Sequence, residues 1–166
     1  MNQRNEATAN IILLTPAILG TAAAWVTSFG FYGRSLSFGY RKFIFFTDIY
    51  TILASLGAGA YIFQLLELDE SKDAKLKDII LPLVSVILLF ALTYNMIYSL
   101  YPDTFSGTIG KTPVTQFMSF LSLSIGSISV GETFNVTPEK PGTQILAALE
   151  SFWNLFVLSL LISLIV

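Results

Sequence analysis

The chain has 166 residues, of which 54% are hydrophobic and 12% are charged, and its formal net charge is -2. A soluble domain carries about 25% charged residues, so this composition indicates a protein that lies in lipid. Nucleic-acid binding is excluded because no run of Lys and Arg is present to neutralise phosphates. The absence of Cys and His excludes disulfides, thiol chemistry, the usual zinc sites and His-dependent catalytic triads.

Four apolar stretches are long enough to cross a bilayer, whose hydrocarbon core is about 30 Å thick and requires about 20 apolar residues. They comprise residues 11–32, 43–66, 79–100 and 144–166. Pro16 and Pro82 fall where we expect helix starts, at which a missing amide donor breaks no hydrogen bond. The sequence therefore predicts an all-α, multi-pass membrane protein with four transmembrane helices. The first apolar run is too long for the core of a signal peptide, so we expect the N-terminus to be retained.

The segment before the last span contains a shorter apolar run, Pro113–Gly126, which is rich in Ser and Thr. As a helix of 14 residues it would extend only about 21 Å, which is too little to cross. Thr112 can cap the helix N-terminus, and Pro113 suits the first turn. The polar residues 127–133 that follow are tolerated at membrane depth only where protein or water surrounds the backbone. This pattern predicts a re-entrant pore helix followed by a pore loop.

The second half of the chain resembles the pore module of the potassium-channel superfamily. The resemblance implies an outer helix at 79–100, a pore helix at 113–126, a filter at 127–133 and an inner helix at 144–166. In the filter, Ser129, Val130 and Gly131 stand where potassium channels begin the sequence TVGYG. Ser127 and Ile128 form the approach to it. Residues 142–150 also resemble the opening of the inner helix in prokaryotic two-helix potassium channels.

Beyond Gly131 the filter resembles a different group of channels. Glu132 and Thr133 replace the Tyr-Gly pair, so that residues 129–133 are similar to the Thr-Ile-Gly-Glu-Thr filter of cyclic-nucleotide-gated, non-selective cation channels. The prolines that follow in that family are replaced here by Phe134, Asn135 and Val136. The resemblance therefore implies a filter that discriminates weakly between cations.

The physical chemistry of the filter residues points the same way. Backbone carbonyls from four copies of Ser129, Val130 and Gly131 would replace the hydration shell of a cation, and the Ser129 hydroxyl could add a further oxygen ring. Loss of the Tyr-Gly pair predicts fewer binding sites in series. Glu132 would place four carboxylates near the outer mouth, where they attract Na⁺ and K⁺ and could hold Ca²⁺. Alternatively, Glu132 bonds a neighbouring backbone amide and only braces the loop.

Polar residues in the last span are candidates for the pore wall below the filter. Glu150 and Asn154 are four residues apart and share one helix face. The pore-lining candidates on this face are Glu150, Asn154, Val157, Leu158 and Leu161. The alternative, that this face packs behind the filter, stays open. For Asp48 in the second span we expect the membrane interface and a partner in Arg41 or Lys42.

The family orientation divides the chain into two parts. Residues 1–78 would form two transmembrane helices with a cytoplasmic connecting loop at 67–78, and residues 79–166 would form the pore module with an extracellular pore loop. The protein is then a multi-pass protein of the plasma (inner) membrane. Counting Lys and Arg gives no support for this orientation, because more of them fall in the segments assigned to the outside.

Together these features predict the pore-forming subunit of a homotetrameric cation channel in a lipid bilayer. It would need no cofactor and would conduct Na⁺ and K⁺ with little selectivity, with Ca²⁺ either passing or blocking. Gating would come from an unidentified partner, from membrane tension or from the filter itself. The alternatives are a potassium-selective channel with a divergent filter and a non-conducting membrane scaffold or accessory subunit. We expect no enzymatic activity, because the acids at membrane depth have no His or Cys beside them.

Overall fold

The computed structural model describes residues 10–30, 39–67, 72–126 and 136–165. These residues are mostly helical. In chain order they form a 3₁₀ turn at Ile11–Leu14, helices α1 (Thr15–Gly30), α2 (Tyr40–Glu67) and α3 (Lys72–Leu100), a second 3₁₀ turn at Pro102–Thr104, strand β1 (Phe105–Gly107), helix α4 (Pro113–Gly126), strand β2 (Val136–Pro138) and helix α5 (Pro141–Ile165).

Four segments of these helices are long and apolar enough to cross a membrane, as the sequence predicted. They are Ile11–Gly30, Tyr40–Glu67, Lys77–Leu100 and Pro141–Leu160. Large apolar side chains cover their outer faces; for example, Val26 is 69% exposed, Phe46 68% and Phe152 72%. Such surfaces are suited to lipid tails and not to water, so the chain is a multi-pass integral membrane protein.

Helix α3 is the centre of the bundle, since α1, α2, α4 and α5 all pack against it. Its side chains Val86, Phe90, Tyr94 and Ile97 are fully buried. Tyr94 is surrounded by other rings, including Phe105 at a centroid separation of 5.6 Å and Phe120 at 6.5 Å. The packing around α3 therefore decides how the other helices are placed.

The start of α3 differs from the sequence-based expectation. The helix begins at Lys72 and not at residue 79, so Pro82 lies inside it and not in its first turn. Residues 72–78 are rich in Lys, Ala and Leu, which favour helix even outside lipid. A proline inside a membrane helix is tolerated because neighbouring groups can satisfy the freed carbonyl. Pro16 is the second residue of α1, as expected.

The helices alternate in direction, which defines two ends of the bundle. At one end the rings of Tyr40 and Tyr101 lie 5.2 Å apart, and a Cβ added at Gly142 would lie 2.4 Å from Cγ1 of Ile44. This end, named here the loop end, joins the start of α2, the end of α3 and the start of α5. At the opposite end the backbone amide of Asn10 donates to the side-chain oxygen of Gln64 at 2.8 Å.

A short antiparallel ribbon lies at the loop end and was not predicted. Strand β1 pairs with β2 so that Phe105 faces Pro138 and Gly107 faces Val136. Gly107 has a φ of 103°, a conformation that a residue with a side chain rarely adopts. Because the two strands pair, Gly107 and Val136 lie side by side at the loop end, although 28 residues separate them in the chain.

Candidate functional site

Helix α4 begins as the sequence predicted. Its first residue is Pro113, and the hydroxyl of Thr112 accepts a hydrogen bond from the backbone amide of Thr115 at 3.2 Å. The Thr112 carbonyl accepts from the amide of Gln116 at 2.8 Å. Just before it, Gly110 has no room for a side chain, because an added Cβ would lie 2.2 Å from the carbonyl carbon of Thr115. Cap and glycine together set where the helix starts.

One face of α4 is buried, and its residues recur every fourth position. Gln116, Phe120 and Ser124 make up this face, and each is less than 5% exposed. The opposite face carries Val114, which is 60% exposed, and Met118, which is 51% exposed. Two of the three buried side chains are polar, so this face needs polar partners on the neighbouring helices.

The first polar contact, named here the amide cluster, joins α4 to the last turns of α3. The side-chain amide of Gln116 donates to Oδ1 of Asn95 at 2.7 Å and to the hydroxyl of Ser99 at 2.9 Å. All three side chains are at most 7% exposed. The cluster anchors the first half of α4 to α3.

The second polar contact, named here the carboxyl cluster, joins α3, α4 and α5. Glu150 on α5 is 1% exposed, and its Oε2 accepts from the hydroxyl of Tyr94 at 2.7 Å. Its Oε1 is hydrogen-bonded to the hydroxyl of Ser124 near the end of α4. The same hydroxyl lies 3.1 Å from the backbone carbonyl of Ile87 on α3. The last turn of α4 is therefore attached to two transmembrane helices.

These contacts place the end of α4 deep in the bundle. Ile87, the neighbour of Ser124, precedes Leu100 by 13 residues, a distance of about 20 Å along a helix. Glu150 follows Pro141 by nine residues, or about 14 Å. Helix α4 therefore runs from the loop end to about half the length of the flanking helices.

The predicted filter lies outside the described residues. This applies to the filter approach, Ser127 and Ile128, and to the filter itself, Ser129, Val130, Gly131, Glu132 and Thr133. Its flanks are described: α4 ends at Gly126, and β2 begins at Val136. Among the described residues no group of three or more acidic side chains could hold a metal ion, and a cation site at Glu132 stays a prediction.

The pore-lining candidates on α5 are divided by their burial. Glu150, Asn154 and Val157 are buried within this chain, at 1%, 6% and 4% exposure. These three side chains are enclosed by the rest of the chain, and their assignment to the pore wall stays a prediction. Leu158 is 44% exposed and can still face a pore, whereas the side chain of Leu161 is outside the described part.

Asp48 is not at an accessible interface, contrary to expectation. It is only 9% exposed, and its Oδ1 has no hydrogen-bond partner among the described residues. Arg41 and Lys42 are exposed, and within the described part the structure has no ion pair from either to Asp48. Helix α2 begins at Tyr40, three residues earlier than predicted, which carries Asp48 further into the bundle.

Sequence reasoning missed the partners of α4. These are Tyr94, Asn95 and Ser99 on α3, together with Gln116 and Ser124 on α4 itself. The available signal was the spacing along each helix. Asn95 and Ser99 are four residues apart in the third apolar stretch, and Gln116 and Ser124 are eight apart in the run 113–126. Spacing shows that such residues share a face but not which helix that face meets.

Outside the spans, one ion pair closes the base of the loop. Lys140 Nζ lies 2.8 Å from Asp103 Oδ2, and the hydrogen bond from Lys140 lowers the pKa of the Asp103 carboxyl below that of a free aspartate.

The chain matches no family model, no curated protein and no solved structure, so the resemblance to potassium-channel pore modules stays a prediction.

Proposed function

We propose that the chain is the pore-forming subunit of a tetrameric cation channel. The channel discriminates weakly between Na⁺ and K⁺, and Ca²⁺ either permeates it or blocks it. The observation that carries the proposal is the placement of α4. A helix of 14 residues lies between two membrane-crossing helices and ends at Gly126, immediately before the filter-like sequence.

The path of the chain around α4 supports a re-entrant loop. Strands β1 and β2, which flank the segment that contains α4, pair with each other, so the chain enters and leaves the segment on one side of the bundle. A helix of 14 residues extends about 21 Å, and a segment that stops at half depth has to turn back. Polar backbone at that depth requires a protein or water environment, which a central pore would provide.

The direction of α4 would favour binding of a cation near its C-terminal end. The C-terminal end of a helix carries about half a negative charge from its unpaired carbonyls, and in α4 this end lies about 20 Å below the loop end. Four such ends around an axis would lower the energy of a cation in the middle of the membrane. One chain cannot surround an ion, and closed cyclic symmetry is the usual arrangement of identical subunits.

The sequence after Gly126 accounts for the proposed selectivity. Carbonyl oxygens of residues 129–131 from four chains would coordinate a partly dehydrated ion. Without the Tyr-Gly pair the column of oxygen rings is shorter, which reduces discrimination between Na⁺ and K⁺. Glu132 would add a ring of carboxylates that repels anions and attracts divalent cations.

The proposal is tested with the purified full-length chain in a planar bilayer, with KCl on one side and NaCl on the other. We expect a reversal potential near zero, and an altered conductance or Ca²⁺ block in Glu132→Gln. The matched control is Glu139→Gln, which removes an exposed carboxylate seven residues further on, beside the ribbon. This control should leave the reversal potential and the Ca²⁺ response unchanged.

Two results would contradict the proposal in different ways. A reversal potential that follows K⁺ alone would support the potassium-selective alternative and refute the weak filter. Absence of current, together with a monomer or dimer in native mass spectrometry, would support a scaffold or accessory subunit.

A further inference from the structure

We propose that Glu150 is held in its protonated form and donates a hydrogen bond to Ser124, and that it thereby positions the C-terminal end of α4. Glu150 is then a positioning residue that acts through Ser124 and does not contact the ion. The consequence for conduction rests on the proposed function, whereas the protonation state does not.

The number of hydroxyl protons leads to this inference. The hydroxyl of Ser124 lies within hydrogen-bond reach of two acceptors, Glu150 Oε1 and the backbone carbonyl of Ile87. A serine hydroxyl has one proton and can donate to only one of them. If Oε1 carries a proton, Glu150 donates to Ser124 and Ser124 donates to Ile87. Both contacts are then hydrogen bonds.

The other oxygen of the carboxyl group fits this assignment. The hydroxyl of Tyr94 donates to Oε2 at 2.7 Å, which makes Oε2 the carbonyl oxygen and leaves Oε1 to carry the proton. The order of donation is then Tyr94 to Glu150, Glu150 to Ser124, and Ser124 to Ile87. The chain of hydrogen bonds crosses from α3 to α5, continues to α4 and returns to α3.

The surroundings of Glu150 also favour the neutral form. The side chain is 1% exposed, and removing a charged carboxylate from water is far more costly than removing a carboxylic acid.

Among the described residues, the titratable side chain that contacts Glu150 is Tyr94 on α3. On α2 the buried acid is Asp48, whose charge acts on Tyr94. Helices α1 and α4 contain no titratable side chain.

Ionisation of Glu150 would weaken the attachment of the last turn of α4 to α3. The hydroxyl of Ser124 would turn towards the carboxylate, and the bond from α4 to the Ile87 carbonyl would be lost. We therefore expect the current to decrease as the pH is raised through the titration of Glu150. Glu150→Ala should reduce the current by about tenfold, the effect of leaving one buried hydrogen-bonding group unsatisfied.

Glu150→Gln is the decisive variant, because a glutamine reproduces the protonated acid. Its oxygen can accept from Tyr94 and its amide can donate to Ser124. It should rescue the current that Glu150→Ala loses and remove the decrease at high pH. A pH profile identical to that of the wild type would refute the positioning role.

The protonation state is measured separately by infrared spectroscopy of the purified full-length chain at neutral pH. The carbonyl stretch of protonated carboxylic acids should be present, and the component that belongs to Glu150 should disappear in Glu150→Gln. Asp48→Asn is the matched control: it removes the second buried acid and should retain the Glu150 component. In Ser124→Ala, which keeps the acid but removes its acceptor, the band should shift and not vanish.

The two measurements separate this inference from the proposed function. If wild type and Glu150→Gln have the same spectrum in this region, Glu150 is ionised and the inference is wrong, whatever the currents are. If the band is assigned to Glu150 but no variant conducts, the protonated carboxyl stands and the channel proposal fails.

Discussion

At the scale of single residues, the most informative side chains are polar groups buried among apolar ones. In the amide cluster, Nε2 of Gln116 lies within 3 Å of both Asn95 Oδ1 and the Ser99 hydroxyl, where water has little access. A buried hydrogen bond adds little to stability, but loss of one partner leaves the others unsatisfied. The value of the cluster is therefore specificity, since it fixes the register of α4 against α3.

Gln116→Leu should lower the free energy of unfolding by about 1–3 kcal/mol, because the Asn95 oxygen loses its buried donor. The measurement is detergent-induced unfolding of the purified protein. Gln144→Leu, at an exposed position on α5, is the control and should have little effect. Asn95→Leu combined with Gln116→Leu should be less destabilising than the sum of the single changes, and strict additivity would show that the two side chains are not coupled.

Gly110 is the residue at which the start of α4 is most sensitive to a small change. Gly110→Ala would bring a Cβ to within 2.4 Å of two backbone atoms of Thr115, and backbone inside a helix cannot move without displacing the helix. We expect a lower thermal unfolding temperature and, under the proposed function, a reduced current. Gly30→Ala is the control, since the described residues leave open space there. Equal behaviour of both variants would contradict the close approach.

At the scale of elements, the ribbon and the ion pair together close the base of the α4 segment. The backbone amide of Glu139 donates to the carbonyl of Thr104 at 2.9 Å, which extends the strand pairing towards α5. Beside it, Lys140 and Asp103 form their ion pair with side chains that are 41% and 73% exposed. Exposed pairs contribute at most about 1 kcal/mol, so the backbone pairing is the main constraint.

Asp103→Asn should therefore have only a small effect, and that effect should depend on pH. Because the pKa of Asp103 is lowered in the folded protein, its contribution is present above the pKa of the unfolded chain and is lost as the pH falls through the folded pKa. Hydrogen exchange of the β1 and β2 amides should be faster in the variant at neutral pH and equal to the wild type in strong acid. A difference that persisted in acid would mean that the ion pair is not its cause.

At the scale of the whole molecule, the alternation of helix directions predicts which segments share a side of the membrane. The loop end contains the start of α2, the ribbon and the start of α5, whereas Asn10 and Gln64 lie at the other end. The chain has no cysteine, so single cysteines can report on each end without background.

Arg41→Cys and Ser106→Cys should react with a membrane-impermeant maleimide from one side, and Asp78→Cys only from the other. All three positions are exposed. Leu53→Cys is the control: it is 60% exposed in the isolated chain but should lie in lipid and stay unlabelled. Labelling of Arg41→Cys and Ser106→Cys from opposite sides would refute the arrangement of α2 and α3.

The sequence by itself determined the features that depend on neighbouring residues and on composition. The four spans follow from the length of the apolar stretches, and the bounds of α4 follow from a local cap at Thr112 and a proline at Pro113. Both signals lie within a few residues of the structure that they predict. The short length of α4 is likewise a local property that the sequence predicts, whereas the side chains that surround α4 are not.

Only the tertiary structure decided what the buried polar groups contact. Tyr94 and Glu150 are 56 residues apart in the chain, and Ser124 and Glu150 are 26 apart. Sequence periodicity could not choose between a pore and a packed interior for Glu150. The position of Asp48 near the predicted start of its span placed it at the interface. Pairing between strands of three residues is also non-local, and so short an element has no periodicity of its own. Contacts of this kind depend on how α1, α2, α4 and α5 pack around α3, which no local pattern encodes.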